Sequence, residues 1–272
     1  MPIITIIRGA FGAGPEVAER VAQDLGYPCV DREVLMEASN RYGIPEAKYE
    51  EVLESGPHWW ERWRESLRLY RITLQAAMCE MARDGQIVYH GHMGQELLPG
   101  VTHVLKVLLT APLEYQVEKV REREGLDEAG GRRFVESVNK SRSRRMEAVF
   151  GADWRDASRY DLVLNAGQMT VDTLARLIED AAGRPEYQKT AESDRLFSDL
   201  SLTSRVQAAL IVSPKTRNLN VRVRASDGVV HVSGILTQPA LQEEIVAVAK
   251  EVSGTTEVET DFESPPVEYM FP

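Results

Sequence analysis

The stretch from Ile3 to Leu25 limits what this chain can become more than any other part of it. An apolar strand, Ile3-Ile4-Thr5-Ile6-Ile7, runs into a turn carrying Gly9, Gly12 and Gly14, and a helix opens at Pro15. Glycines at this spacing let the backbone enter positive φ and aim successive N–H groups at one point, where the following helix adds its positive end. The pattern predicts an anion site. Gly9-Ala10-Phe11-Gly12-Ala13-Gly14 satisfies the G-x-x-x-x-G half of the phosphate-loop motif, but Pro15 and Glu16 stand where a Lys and a Ser or Thr should follow. Pro15 is a good first helical residue with no charge to offer, and Glu16 repels a phosphate.

The next 160 or so residues alternate strands with helices, the signature of βαβ units in a doubly wound parallel sheet. Gly26 to Glu33 reads as a second strand that carries Asp31 and Arg32 to its carboxyl end. Two readings of that pair stand: ligand contacts at the sheet's carboxyl edge, or a helix-capping Asp beside a solvated Arg. Ile44 to Arg83 is helical, and its tryptophans Trp59, Trp60 and Trp63 read as core before base-stacking groups. Strands are expected at Gln86 to His92, at the near-continuous apolar run Val104 to Thr110, and at Tyr160 to Asn165; a helix with Thr170 as its N-cap closes the unit at Ala182. Between them the chain turns basic. Lys140 to Arg145 holds four cations and no acid, which in a chain of net charge -10 calls for an anionic partner.

That overall charge, with a pI near 5.2, argues against a nucleic-acid binder, because phosphate backbones need a clustered positive surface. Cys29 and Cys79 lie far apart without CxxC spacing, so no disulfide framework or metal site is expected, and both are read as buried small hydrophobes. The N-terminus enters a strand directly and no uncharged run is long enough to span a bilayer, so a cytoplasmic protein without a transmembrane segment is expected.

Gly183 to Ser193 is polar and without period, and reads as a linker. After it, a helix (Leu196 to Leu210), a strand (Asn220 to Arg224), an Asp227-Gly228 turn, its partner strand, an amphipathic helix (Gln238 to Ser253) and a last strand make a small α+β unit of order αββαβ.

Two resemblances follow from these residues. Residues 3 to about 182 resemble the cytidylate kinase-like family of P-loop nucleoside monophosphate kinases, through Arg8-Gly9-Ala10-Phe11 to Glu19, Gly26 to Leu35, Val88-Tyr89-His90-Gly91, His103 to Val107, and Tyr160 to Leu164 running into Thr170-Val171-Asp172. Residues 194 to about 263 resemble a BON domain, through Val206 to Leu210, Asp227 to Gly234 and Val252-Ser253-Gly254. The implied architecture is a P-loop α/β domain at 1–183 with helical insertions, a linker at 184–193, a BON-like domain at 194–264 and a tail at 265–272.

The first resemblance implies ATP and Mg²⁺ as cofactors if the domain is active, with Gly9, Gly12, Ala13 and Gly14 at the donor phosphates. It places Arg8, Asp31, Arg32 and His92 on the substrate side, and Arg142, Arg144 and Arg145 as lid arginines that act in catalysis. The chain departs from the family pattern at Pro15, at His92 where an Arg is usual, and at Asn139-Lys140 where an Arg-Asp pair is usual. Three functions are open on this reading: a working kinase, an inactive nucleotide sensor, or a scaffold. The second resemblance implies a lipid or protein partner for the BON-like domain.

Overall fold

The computed structural model describes residues 2–9, 13–31, 42, 60–91 and 93–264, apart from the side chains of 60–66. Gly12, Arg32, His92, Trp59, the side chains of Trp60 and Trp63, and the tail at 265–272 lie outside the described residues. The chain divides into two compact units, Met1–Met36 with Met81–Ser193 and Glu37–Glu80 with Asp194–Pro272.

The first unit is a parallel sheet flanked by helices. Its described elements are β1 (Ile3–Arg8), α1 (Gly14–Leu25), β2 (Cys29–Asp31) and, after the helix α2 (Trp60–Met81), β3 (Val88–His90) and the short α3 (Gly94–Leu97). β4 (Val104–Thr110), α4 (Leu113–Glu124), α5 (Glu128–Phe150), β5 (Leu162–Asn165) and α6 (Val171–Ala182) complete it. The strands lie in the order β2-β3-β1-β4-β5, all parallel. A strand buried on both faces has no reason to alternate, and Ile3, Ile4, Ile6 and Ile7 of β1 are all buried. Ile4 and Ile6 join Leu105, Val107 and Leu109 under a layer formed by Val17, Ala18 and Val21 of α1 and Leu174, Ala175 and Ile178 of α6. Val117 and Val120 of α4 pack against Val135 of α5, which makes these two helices a hairpin.

Within the second unit, α7 (Ala191–Val212), β6 (Val221–Ser226), β7 (Val229–Ile235), α8 (Leu241–Glu251) and β8 (Glu257–Glu263) give the αββαβ order expected. β6 pairs antiparallel and β8 parallel with β7. Asp227 and Gly228 both take positive φ, as a two-residue hairpin turn requires. Leu202, Val206 and Leu210 of α7 share a core with Val223, Val230, Val232, Ile245 and Ala249. The opposite stripe of α7, Ala208 and Ile211, packs on Ile72 and Ala76 of α2, so this helix, expected in the N-terminal domain, lies on the C-terminal one.

Two readings change in detail. Cys29 is exposed, because it opens the edge strand β2, whereas Cys79 is buried and its thiol is pushed up to about 12 by burial. In the stretch read as a linker, Pro185–Tyr187 forms a 3-10 turn and α7 begins at Ala191. Thr190 and Ser193 cap that helix reciprocally, and Ser193 Oγ lies 2.9 Å from Nδ1 of the buried His103. Among the described residues, no helix is long and apolar enough to cross a membrane.

Candidate functional site

The chain leaves β1 toward β2 on one side of the sheet and leaves β4 toward β5 on the other, so a crevice opens between the carboxyl ends of β1 and β4. Gly9 sits at its floor and donates its N–H to Leu109 O at 3.2 Å. A side chain at Gly9 would meet the carboxamide of Gln116 at 3.6 Å. That buried glutamine donates to Ala111 O at 2.7 Å and accepts from Asn139 Nδ2 at 3.3 Å, and so ties the root of the loop to α4 and α5. Ala13 caps α1 with no side-chain hydrogen bond, and Gly14 and Pro15 begin the helix.

Beside this helix start lies a cleft of about 400 Å³. One wall is Arg8, Ala13, Pro15 and Glu16; the other is Tyr115, Lys119, Glu122 and Arg123 of α4, with Val171 at the head of α6. Lys119 Nζ lies 2.7 Å from Glu122 Oε2 and 5.8 Å from the centre of the Tyr115 ring, and the Glu122 contact raises its pKa. Arg123 is 3.4 Å from Glu124. Sequence reasoning missed this α4 wall. Its signal was the four-residue spacing of Tyr115, Lys119 and Arg123, which puts all three on one helix face.

Across the sheet, His90 ends β3 in register with Asp31 of β2 and Ile6 of β1. Burial lowers the His90 pKa; Asp31 opposes the shift and Arg8 adds to it. Just beyond, the buried Met93 takes a left-handed φ of 67°, a strained position of the kind that clusters at binding sites.

The three expected lid arginines lie within one continuous helix, α5. Arg142 and Arg145, three residues apart, turn inward together; Arg144 is exposed. Arg142 Nη1 donates to the main-chain carbonyl of Arg8 at 2.8 Å, and Arg145 Nη2 donates to Ser141 Oγ at 2.9 Å. With Ile7, Met93, Met146 and Trp154 they line a cavity of about 10 Å³, room for about one water. Trp154 is fixed by its own bond to Ser143 Oγ at 3.0 Å and by Tyr160, whose hydroxyl donates to its carbonyl. The structure thus joins Arg8, Gly9, Gly14 and Arg142 at one place and sets Arg144 apart.

Residues 3–168, more than half of the chain, match the cytidylate kinase-like family. The chain belongs to that family. Residues 198–265 match the BON domain. Among curated relatives, a cytidylate kinase of Methanopyrus kandleri is 26% identical over 66% of this chain and 92% of its own length. A cytidylate kinase of Pyrobaculum aerophilum is 26% identical over 65% of this chain and 91% of its own. A crystal structure of an uncharacterized protein from Eubacterium ventriosum superposes with a TM-score of 0.52 at 19% identity, covering 66% of this chain and 97% of that one, which is a likeness of fold.

The lining of this cleft suits an anionic group better than it suits a protein-held Mg²⁺. Cations and a helix N-terminus border the cleft, but the hydroxyl that would hold the metal is replaced by Glu16, and the other cleft carboxylate, Glu122, is engaged by Lys119. Among the described residues, no three His, Cys, Asp or Glu groups come together.

Proposed function

We propose that the N-terminal unit binds a nucleotide by its phosphates in the cleft between the first turn of α1 and the Tyr115-Lys119-Arg123 face of α4. The observation that carries this reading is the cleft itself: a glycine-bounded helix start faces cations across a volume of about 400 Å³, the chemistry that phosphates need. Likeness to cytidylate kinases supports ATP as the donor and a nucleoside monophosphate as the acceptor. The reaction breaks the bond between the β–γ bridging oxygen and the terminal phosphorus and forms one from the acceptor's phosphate oxygen. Phosphoryl transfer rests on positioning and charge neutralisation, so a loop without its lysine is expected to be slow.

The replacement of the lysine and hydroxyl by Pro15 and Glu16 favours a second reading, a nucleotide sensor with no turnover. One assay separates the two. Melting of the full chain is followed with ATP, CTP, CMP and UMP, and release of ADP is measured with each monophosphate and Mg²⁺. A ligand at 100 times its Kd stabilises by about 2.7 kcal/mol. A shift with turnover supports the kinase, a shift alone supports the sensor, and no shift with any nucleotide overturns both. The C-terminal unit is assigned a lipid or protein partner, tested by sedimentation of the full chain with anionic vesicles, and the nucleotide reading places the protein in the cytoplasm.

A further inference from the structure

If the loop holds phosphates, the charge that Pro15 cannot supply has to come from another side chain. We propose that Arg8, the last residue of β1, is the cation that engages the nucleotide's terminal phosphates at this loop. This rests on the nucleotide reading above.

The side chain of Arg8 crosses the first turn of α1. A Cβ built on Gly14 would fall 2.2 Å from Arg8 Cδ and 3.1 Å from its Cγ and Nε. Gly14 is an ordinary helical position with no positive φ to explain its glycine. What it needs is space for the arginine. The same side chain lines the cleft beside Ala13, Pro15 and Glu16, so it reaches the ground that a lysine at position 15 would cover.

Its backbone is held from the other direction. Arg142 Nη1 grips the Arg8 carbonyl at 2.8 Å, which fixes the end of β1 against α5. The charge of Arg8 is also felt at His90, where it helps hold the imidazole neutral, and His90 is in register with Asp31. Arg8 therefore lies between the donor cleft and the strand ends assigned to the acceptor.

The other cations of the cleft are weaker candidates. Arg123 is exposed and the Lys119 side chain is 43% exposed, and such surface charges are screened by salt. Arg8 is half-buried, and its guanidinium matches two phosphate oxygens at once.

The test is calorimetric titration of the full chain with adenosine, AMP, ADP and ATP. A charge-assisted bond of 1.5 to 3 kcal/mol corresponds to roughly ten- to hundredfold in Kd, so Arg8→Gln is expected to weaken ATP by about tenfold or more while AMP and adenosine change by less than about twofold. Arg8→Lys, which keeps the charge but not the bidentate fork, recovers part of the loss. Gly14→Ala, which keeps the charge but pushes the side chain aside, weakens ATP as well, and adding it to Arg8→Gln costs nothing further. Wild-type binding with ATP affinity unchanged in Arg8→Gln, or with all four ligands weakened equally, overturns the inference and leaves the nucleotide reading standing. Should Arg8→Gln fail to fold, Gly14→Ala decides by the same criteria. A wild-type chain that binds none of the four ligands overturns the nucleotide reading and this inference with it.

Discussion

Arg142 and Arg144 are two residues apart, and one helix turns them into different chemical groups. Arg142 points inward and bonds the Arg8 carbonyl, whereas Arg144 stands in solvent. A hydrogen bond from a charged donor contributes about 1.5 to 3 kcal/mol, while exposed substitutions stay within about 0.5 kcal/mol. Arg142→Ala is therefore expected to lower the urea unfolding free energy of the N-terminal unit by about 2 kcal/mol, and Arg144→Ala to leave it unchanged. Urea melts of the two variants check this; equal effects would mean that Arg142 holds nothing. The sequence marked all three arginines alike, because a run of cations shows an excess of charge and not which members face inward. Lys119 was hidden for a related reason: it is distant from the loop in sequence, and it is the pairing of β4 with β1 that sets the helix following β4 beside the loop.

At the scale of elements, the strand and the helix on either side of the glycine turn were the most legible part of the chain. A fully apolar strand and a Pro at the helix start each have a local cause, and β1, α1 and β4 lie where those causes put them. The ends of β2 and β3 carry a pH dependence that local pattern does not show. His90 is held neutral chiefly by burial, so its folded pKa lies below the ordinary 6.5. For a depressed pKa the unfolded chain binds the proton first, so the contribution is fully present above about pH 6.5 and is lost as pH falls from there through the folded pKa. NMR titration of the His90 ring should give a midpoint below 6.5, and the stability difference between wild type and His90→Gln should shrink between pH 7.5 and pH 5. A midpoint above 6.5 would mean that Asp31, not burial, governs this histidine.

Across the whole molecule, the polar run from Gly183 to Ser193 marks a change in the character of the chain, but the place of α2 was not readable. Its apolar stripe says that one face is covered without saying by what, and the answer lies more than 120 residues away, in Ala208 and Ile211. The consequence is testable by proteolysis. Lys189 is exposed between the 3-10 turn and α7, and Arg184 is followed by Pro185, a bond that trypsin cuts poorly. Brief trypsin treatment is expected to cut after Lys189 and leave fragments that still elute together on gel filtration, because α2 in one packs on α7 in the other. Ala208→Asp buries a charge in that seam at a cost of several kcal/mol and should let the fragments part. Fragments that separate without it would mean that the α2–α7 seam contributes little.

The central claim is that phosphates are held where β1 meets α1 and α4. Hydrogen–deuterium exchange of the full chain with and without saturating ATP tests it most directly. The prediction is slowed exchange at residues 9–17 and 115–123 and none in β6, β7 and β8. Unchanged exchange at both segments under saturating ATP, or protection confined to the C-terminal unit, would contradict it.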